Sequence, residues 1–327
     1  MKMLDEYSRT IDYLRISITD RCNLRCIYCM PEEGVCQLSH DEILSYEQIL
    51  HLCKLFAQLG VHKIKITGGE PLVRRDCTAL IKAINQIAGI DNITLTTNGL
   101  LLSEKLDELI DAGISSVNVS LDTTNEEAYK KITRFQGADQ VIEALRKAAD
   151  TSLNVKINAV PLADSSDEDF YSLIELAKDK NIHVRFIELM PIGLGQSLKG
   201  LSQAALTARI EAKYGALKPY DKQLGNGPCV YYTLAGFKGK IGFIAALSHK
   251  FCSQCNRVRL TADGMLKTCL QYDAGCNLKA MLDAGCSDEE MLAAIRQTIL
   301  QKPLSHHFES SAKDSKKETR MMSQIGG

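Results

Sequence analysis

Between residues 12 and 191, short runs rich in Ile, Val and Thr alternate with longer runs whose apolar positions recur every three or four residues. The short runs, Leu14–Thr19, Lys63–Thr67, Asn92–Thr97, Ser116–Leu121, Asn154–Val160 and His183–Leu189, read as buried parallel strands. The longer runs read as helices with end signals. Ser45 and Gln48 make a capping box, Gly60 closes that helix, and Ile49, Leu52, Cys53, Phe56 and Leu59 share one face. Ser103 opens another helix carrying Leu106, Leu109 and Ile110 ahead of Gly113, and a third, 167–179, buries Phe170, Leu173, Ile174 and Ala177. Six such repeats predict an α/β fold, a parallel sheet curved into a partial, TIM-like (β/α)6 barrel.

In folds of this kind ligands gather at the carboxyl ends of the strands. The chemistry-bearing residues fall there. A cysteine loop, 20–31, follows the first strand, Gly68-Gly69-Glu70-Pro71 the second and Thr97-Asn98-Gly99 the third. Ser120 and Asp122 end the fourth, Lys156 lies in the fifth, and Glu188-Leu189-Met190-Pro191 ends the sixth. Each glycine pair alone would be a turn. Together they argue for a site, where glycines permit positive φ and close approach to a ligand.

After residue 192 the repeat stops. A helix over 203–214, a loop at Gly225-Asn226-Gly227-Pro228 and strands at Val230–Leu234 and Gly239–Leu247 follow. Residues 310–320 are polar and lysine-rich, which predicts an exposed, flexible stretch. The expected organisation is therefore a barrel over 1–225, a C-terminal α+β region over 226–309 that closes it, and a flexible tail over 310–327 ending in Gly-Gly.

Cysteine usage changes the picture most. Twelve cysteines in 327 residues suggest metal ligands in a reducing compartment more than disulfides. Cys22, Cys26 and Cys29 form C-x3-C-x2-C with Tyr28 between the last two, and no fourth cysteine lies at matching distance. A closed zinc site wants four protein ligands, and an iron–sulfur cubane normally takes four thiolates. Three thiolates would hold a cubane and leave one iron open. Cys252, Cys255 and Cys269 repeat the arrangement as C-x2-C-x13-C, with Asp263-Gly264 as a hairpin turn that brings Cys269 back. The competing reading is zinc, with a remote Cys or His, such as His249, as fourth ligand. The other six cysteines read as small apolar residues.

Charge adds a local feature. The formal net charge is −1, so nothing draws the chain globally to nucleic acid or anionic membrane. Arg257 and Arg259 share one face of a strand, and Arg15, Lys65 and Lys156 have the same period-two logic on barrel strands. A lysine inside a barrel is costly unless it meets an anion, and guanidinium favours phosphate. The set argues for a polyanionic substrate held without a Walker-type loop. No apolar run approaches transmembrane length and the N-terminus lacks a signal-peptide core, so a cytoplasmic location is expected.

The C-x3-C-x2-C loop resembles the radical S-adenosylmethionine superfamily. Asp12-Tyr13-Leu14-Arg15-Ile16-Ser17, Thr67-Gly68-Gly69-Glu70-Pro71, Thr96-Thr97-Asn98-Gly99, Ser120-Leu121-Asp122, Cys252 to Leu260 and the closing Gly326-Gly327 resemble the molybdenum cofactor biosynthesis protein A family, the GTP 3′,8-cyclases. The resemblance implies two [4Fe-4S] clusters, on Cys22, Cys26 and Cys29 and on Cys252, Cys255 and Cys269, with S-adenosylmethionine on the first. It implies a 5′-deoxyadenosyl radical that takes the 3′ hydrogen of GTP. The sugar radical then attacks C8, giving (8S)-3′,8-cyclo-7,8-dihydroguanosine 5′-triphosphate, in the first step of molybdenum cofactor biosynthesis. Tyr28, Gly69, Ser120 and Met190 match S-adenosylmethionine contacts, and Arg15, Lys65, Thr96, Lys156, Arg257 and Arg259 match GTP contacts. Arg257, Arg259, Gly326 and Gly327 match catalytic positions, the last two in a tail that reaches the active site. Implied partners are a low-potential electron donor and the downstream cyclic pyranopterin synthase, with a homodimer left open. Lys65 departs from the arginine usual in that family, which keeps charge but loses the bidentate fork. Two rivals remain: a peptide-modifying radical enzyme and a zinc-binding interaction module.

Overall fold

The computed structural model describes residues 2–308 and 318–326. Its strands are β1 (Tyr13–Ser17), β2 (Lys63–Thr67), β3 (Asn92–Thr97), β4 (Ser116–Ser120), β5 (Asn154–Ala159), β6 (Ile182–Ile187), β7 (Lys218–Tyr220), β8 (Val230–Thr233), β9 (Ile241–Ile244), β10 (Arg257–Leu260), β11 (Met265–Lys267) and β12 (Gly275–Asn277). The helices are α1 (Tyr46–Gln58), α2 (Cys77–Asn85), α3 (Leu102–Asp111), α4 (Glu126–Thr133), α5 (Ala138–Ala149), α6 (Asp167–Asp179), α7 (Gln203–Tyr214), α8 (Leu278–Asp283), α9 (Asp288–Leu300) and α10 (Met322–Ile325).

All strands belong to one sheet in the order β12-β11-β10-β1-β2-β3-β4-β5-β6-β9-β8-β7. The six βα strands form the parallel core expected of a partial barrel. β10 adds to it parallel beside β1, and β9 parallel beside β6. Antiparallel pairs, β11-β12 and β8-β7, finish the two edges. The C-terminal region thus lengthens the sheet at both ends.

Parallel strands covered on both faces read as continuous apolar runs. These strands alternate. Leu14 and Ile16, Ile64 and Ile66, Val117 and Val119, Val155 and Ile157 are fully buried in the core that includes α1, α2, α3 and α5. The intervening positions, Arg15, Lys65, Thr94, Ser116 and Asn154, stand side by side in register, and Arg259 joins the row next to Arg15. Period-two alternation aims this row at a polar lumen.

The predicted caps hold at α1, where Ser45 and Gln48 form the capping box, but not at α3. There Leu101 is the N-cap without a side-chain bond, because the turn at Gly99 (φ +88) starts the helix early. Ser103 sits inside the first turn, and its hydroxyl accepts from Lys147. Among the described residues no helix is long and apolar enough to cross a membrane.

Candidate active site

The chain leaves β1 into a long loop that returns at α1, and the loop is held by backbone bonds and three arginines. Ile18 N–H donates to Thr67 O, and Arg25 N–H to Thr133 O. Arg74 reaches both ends of the loop, donating to Ile18 O and Leu44 O while stacked 4.2 Å from the Tyr46 ring. Arg25 donates to Cys22 O and Leu24 O, and Arg134 to Arg25 O and Met30 O. Cys22, Cys26 and Cys29 consequently line a single cavity of about 700 Å³. Burial raises all three thiols, Cys29 to about 12. Thiols raised in this way hold their protons more tightly, and a bound metal would displace them. No three His, Cys, Asp or Glu side chains among the described residues are arranged around a single ion.

Gly68 and Gly69 have neither of the positive φ angles expected of them. They are small because the cysteine loop lies against them: a Cβ on Gly69 would sit 2.3 Å from Arg21 O, and one on Gly68 2.7 Å from Thr19 O. Gly69 N–H donates to Thr19 O and Glu70 N–H to Arg21 O. The Glu70 carboxylate continues the chain of contacts, accepting from Thr97 Oγ1, Asn98 N–H and Leu72 N–H, and burial pushes it up to about 7. Gly69→Ala is therefore expected to push the loop away. It should cost about 1–3 kcal/mol of stability and lower iron loading, read by thermal melting and iron analysis. Undisturbed loading would show that the loop yields.

Tyr28 donates to Asp122 (2.7 Å), which also accepts from Val160 N–H and is raised by burial to about 6. Gly69, Ser120 and Met190 line the cavity beside them. Glu188 is the only acid in the lining among the described residues, and its carboxylate is taken by Ser248 and Leu247 N–H.

The second cysteine group sits at the opposite ends of the strands, the amino ends. Cys252 and Cys255 precede β10, whose Arg257 pairs with Tyr13 at the start of β1, and the β10-β11 hairpin returns Cys269 to the same end. All three line the cavity. Burial would raise the Cys255 thiol, but Lys302 and Arg257 outweigh it and bring it down to about 6. Arg9 donates to Cys252 O, and Lys302 to Arg257 O and Thr268 O. His249, the alternative fourth ligand, is exposed, with Nδ1 on Ser248 Oγ, and lies outside the lining.

Between the two groups the lumen is cationic. Arg15, Lys65, Thr96, Lys156, Arg257 and Arg259 all line it. Burial and mutual repulsion lower Lys65 and Arg259 well below their ordinary values, Arg15 to about 10 and Lys156 to about 7. Sequence reasoning missed Arg185, which donates to Asn118 and Asn158, and Lys302. The signal for Arg185 was available: a charge at alternate spacing within an apolar strand, as for Lys156. Lys302, after α9, had none. Thr96 Oγ1 and Arg185 Nε are buried with no hydrogen-bond partner among the described residues. Residues 223–228 close the lumen at the start of the strands, with Asn226 on Asn92 and Asn154 on Leu224 O.

Residues 318–326 of the expected flexible tail are packed, not loose. Ile325 is buried, Met322 and Ser323 line the cavity, and Arg259 donates to Gly326 O (2.6 Å). Residues 310–317 and Gly327 lie outside the described residues.

A parallel partial barrel with three thiols at the end of its first strand is the architecture of radical S-adenosylmethionine proteins. Residues 16–177 match the Radical SAM superfamily, and residues 182–308 match Molybdenum Cofactor Synthesis C. Streptococcus suis SuiB bound to S-adenosylmethionine shares the fold, with a TM-score of 0.63 at 15% identity over 93% of this chain and 75% of that one. A GTP 3′,8-cyclase of Clostridium perfringens is 44% identical over 99% of this chain and its own full length, and one of Petrotoga mobilis is 45% identical over 99% and its full length. Molybdenum cofactor biosynthesis protein 1 of Dictyostelium discoideum is 43% identical over 93% of this chain and 49% of its own. The chain belongs to the GTP 3′,8-cyclase family.

Proposed function

We propose that this cavity carries out the cyclisation of GTP to (8S)-3′,8-cyclo-7,8-dihydroguanosine 5′-triphosphate, the first step of molybdenum cofactor biosynthesis. The observation that carries it is the cationic lumen lying between two three-thiol groups at opposite ends of the parallel strands. Family membership brings S-adenosylmethionine and a [4Fe-4S] cluster, which Cys22, Cys26 and Cys29 would hold, with Tyr28, Gly69, Ser120 and Met190 beside the cofactor. When bound, that pair supplies the one-electron chemistry that takes hydrogen from C3′ of the ribose. A second cluster on Cys252, Cys255 and Cys269 would hold the guanine base.

The chain's own residues do the rest. Arg15, Lys65, Lys156, Arg257 and Arg259 offset the charge of the triphosphate, which in turn relieves the repulsion among them. Thr96 Oγ1 and Arg185 Nε bring donors that lack partners among the described residues. Arg259 and the segment that reaches it at Gly326 would close the site over the reacting ribose, where excluded water spares a radical from quenching. A low-potential electron donor and a cyclic pyranopterin synthase that consumes the product complete the reading. Twelve unpaired cysteines support a cytoplasmic location.

Reconstituted protein incubated without oxygen with GTP, S-adenosylmethionine and a reductant should release 5′-deoxyadenosine only when GTP is present, and should hold about eight irons per chain. Release that ignores GTP would overturn the cyclase, and zinc in place of iron would overturn the radical chemistry.

A further inference from the structure

An ion pair outside the cavity joins the sheet to the C-terminal segment. Lys267, in β11, has a side chain with no exposure, and its Nζ donates to Glu318 Oε2, to Tyr272 O and, at 3.5 Å, to Asp273 Oδ1. The Glu318 side chain is 1% exposed. Its other oxygen, Oε1, accepts from Thr319 N–H (3.1 Å), Arg320 N–H (2.9 Å) and Arg320 Nε (3.1 Å). One carboxylate thus binds the sheet and turns the chain. Arg320 extends the contact to Asp263 and Asp273. From this point the chain runs through α10 to Gly326, whose carbonyl meets Arg259. The fit at the far end is close: Gly326 has φ +84, and a Cβ there would lie 2.9 Å from Ser17 Cβ.

Neither Lys267 nor Glu318 lines the cavity, so the proposed chemistry does not use them. A buried ion pair is weak evidence for stability, since an apolar pair of similar volume often does as well. Breaking one is different, because the partner left behind is a buried charge. Undocking the C-terminal segment would strip buried Lys267 of its buried carboxylate partner, leaving it Tyr272 O and the longer 3.5 Å contact to the half-exposed Asp273.

We infer that Lys267 and Glu318 are positioning residues, a latch that holds segment 318–326 in place so that its end reaches Arg259. The inference rests on the cyclase reading above for its functional consequence, and on the ion pair alone for its structural one.

The test uses the full, cluster-loaded chain and its Glu318→Gln variant, in which the shape is kept and the charge removed. Amide hydrogen exchange over 319–326 should speed by at least ~30-fold, while β10 and β11 keep their protection. Turnover should fall at least ~tenfold with KM for GTP within about twofold, since the latch touches no substrate. A Lys267→Met/Glu318→Leu double variant, which restores a matched apolar pair, should regain most of the protection and turnover. Unchanged exchange over 319–326 in Glu318→Gln would overturn the latch. So would loss of protection throughout β10 and β11 in both variants, which would mark a general structural pair. Because exchange needs no turnover, a parent protein inactive toward GTP would overturn the cyclase reading and leave the latch decided by its own measurement.

Discussion

Cys26→Ala is expected to leave a folded chain that converts no GTP and, after reconstitution, holds about half of the parent's iron, roughly four atoms in place of about eight. The expectation of a folded chain comes from how the loop is built. Cys26 contributes its carbonyl to the loop, accepting from Cys29 N–H and Met30 N–H, and those backbone bonds do not depend on its thiol. The loop's path is set by Arg25, Arg74 and Arg134 and by backbone bonds to Thr67 and Thr133. Removing the thiol therefore removes a ligand and leaves the scaffold. Two thiolates cannot retain a cluster that normally relies on one per iron. Iron analysis, GTP-dependent release of 5′-deoxyadenosine and a melting curve separate the two effects. A variant with full iron and measurable turnover would show that the three thiols are not the ligand set.

The parallel core was legible because each strand is a short Ile/Val/Thr run bounded by helix caps, and those signals are local. Lys63–Thr67 and Asn92–Thr97 have the bounds read from sequence. Both cysteine groups were legible from spacing, and so were Arg15, Lys65 and Lys156 as charges at alternate positions. What escaped depends on pairing between distant parts of the chain. That β10 would lie parallel beside β1, with Arg257 opposite Tyr13, spans more than half the sequence and leaves no periodic trace. Lys302 reaches the second cysteine group only because α9 packs back near β11. The C-terminal segment shows the same limit in another form. Its composition reads as exposed, yet Glu318 finds a buried lysine and Ile325 a place in the core. The glycines after β2 show none of the positive φ read into them; their missing Cβ atoms admit the backbone of the cysteine loop, a contact that no local pattern reveals.

Lys156→Met is expected to stabilise the ligand-free protein and weaken its hold on GTP. In the folded chain Lys156 is 2% exposed, with Nζ on Ser116 Oγ and with Arg185, Cys229, Lys65 and His183 among its charged or titratable neighbours. Burial first, and Arg185 second, bring its pKa from 10.5 to about 7. Between those values the unfolded chain binds a proton that the folded chain does not. Stability must then rise with pH across that window, by at most about 1.4 kcal/mol per pH unit from this group. The methionine variant loses that slope, so the difference in stability between variant and parent should be largest near pH 7 and shrink toward pH 10.5. GTP reverses the balance, because a triphosphate favours the charged ammonium. Binding should take up a proton, and the parent's affinity should fall as pH rises from about 7. Loss of a buried, charge-assisted contact costs about 2–4 kcal/mol, a ~30- to 10³-fold weaker Kd for GTP near neutral pH. Calorimetric titration of GTP at several pH values, beside denaturant melts of both proteins, measures each part. An unchanged Kd would take Lys156 out of the substrate site, and a parallel pair of pH–stability curves would show that its charge is not what the lumen strains to hold.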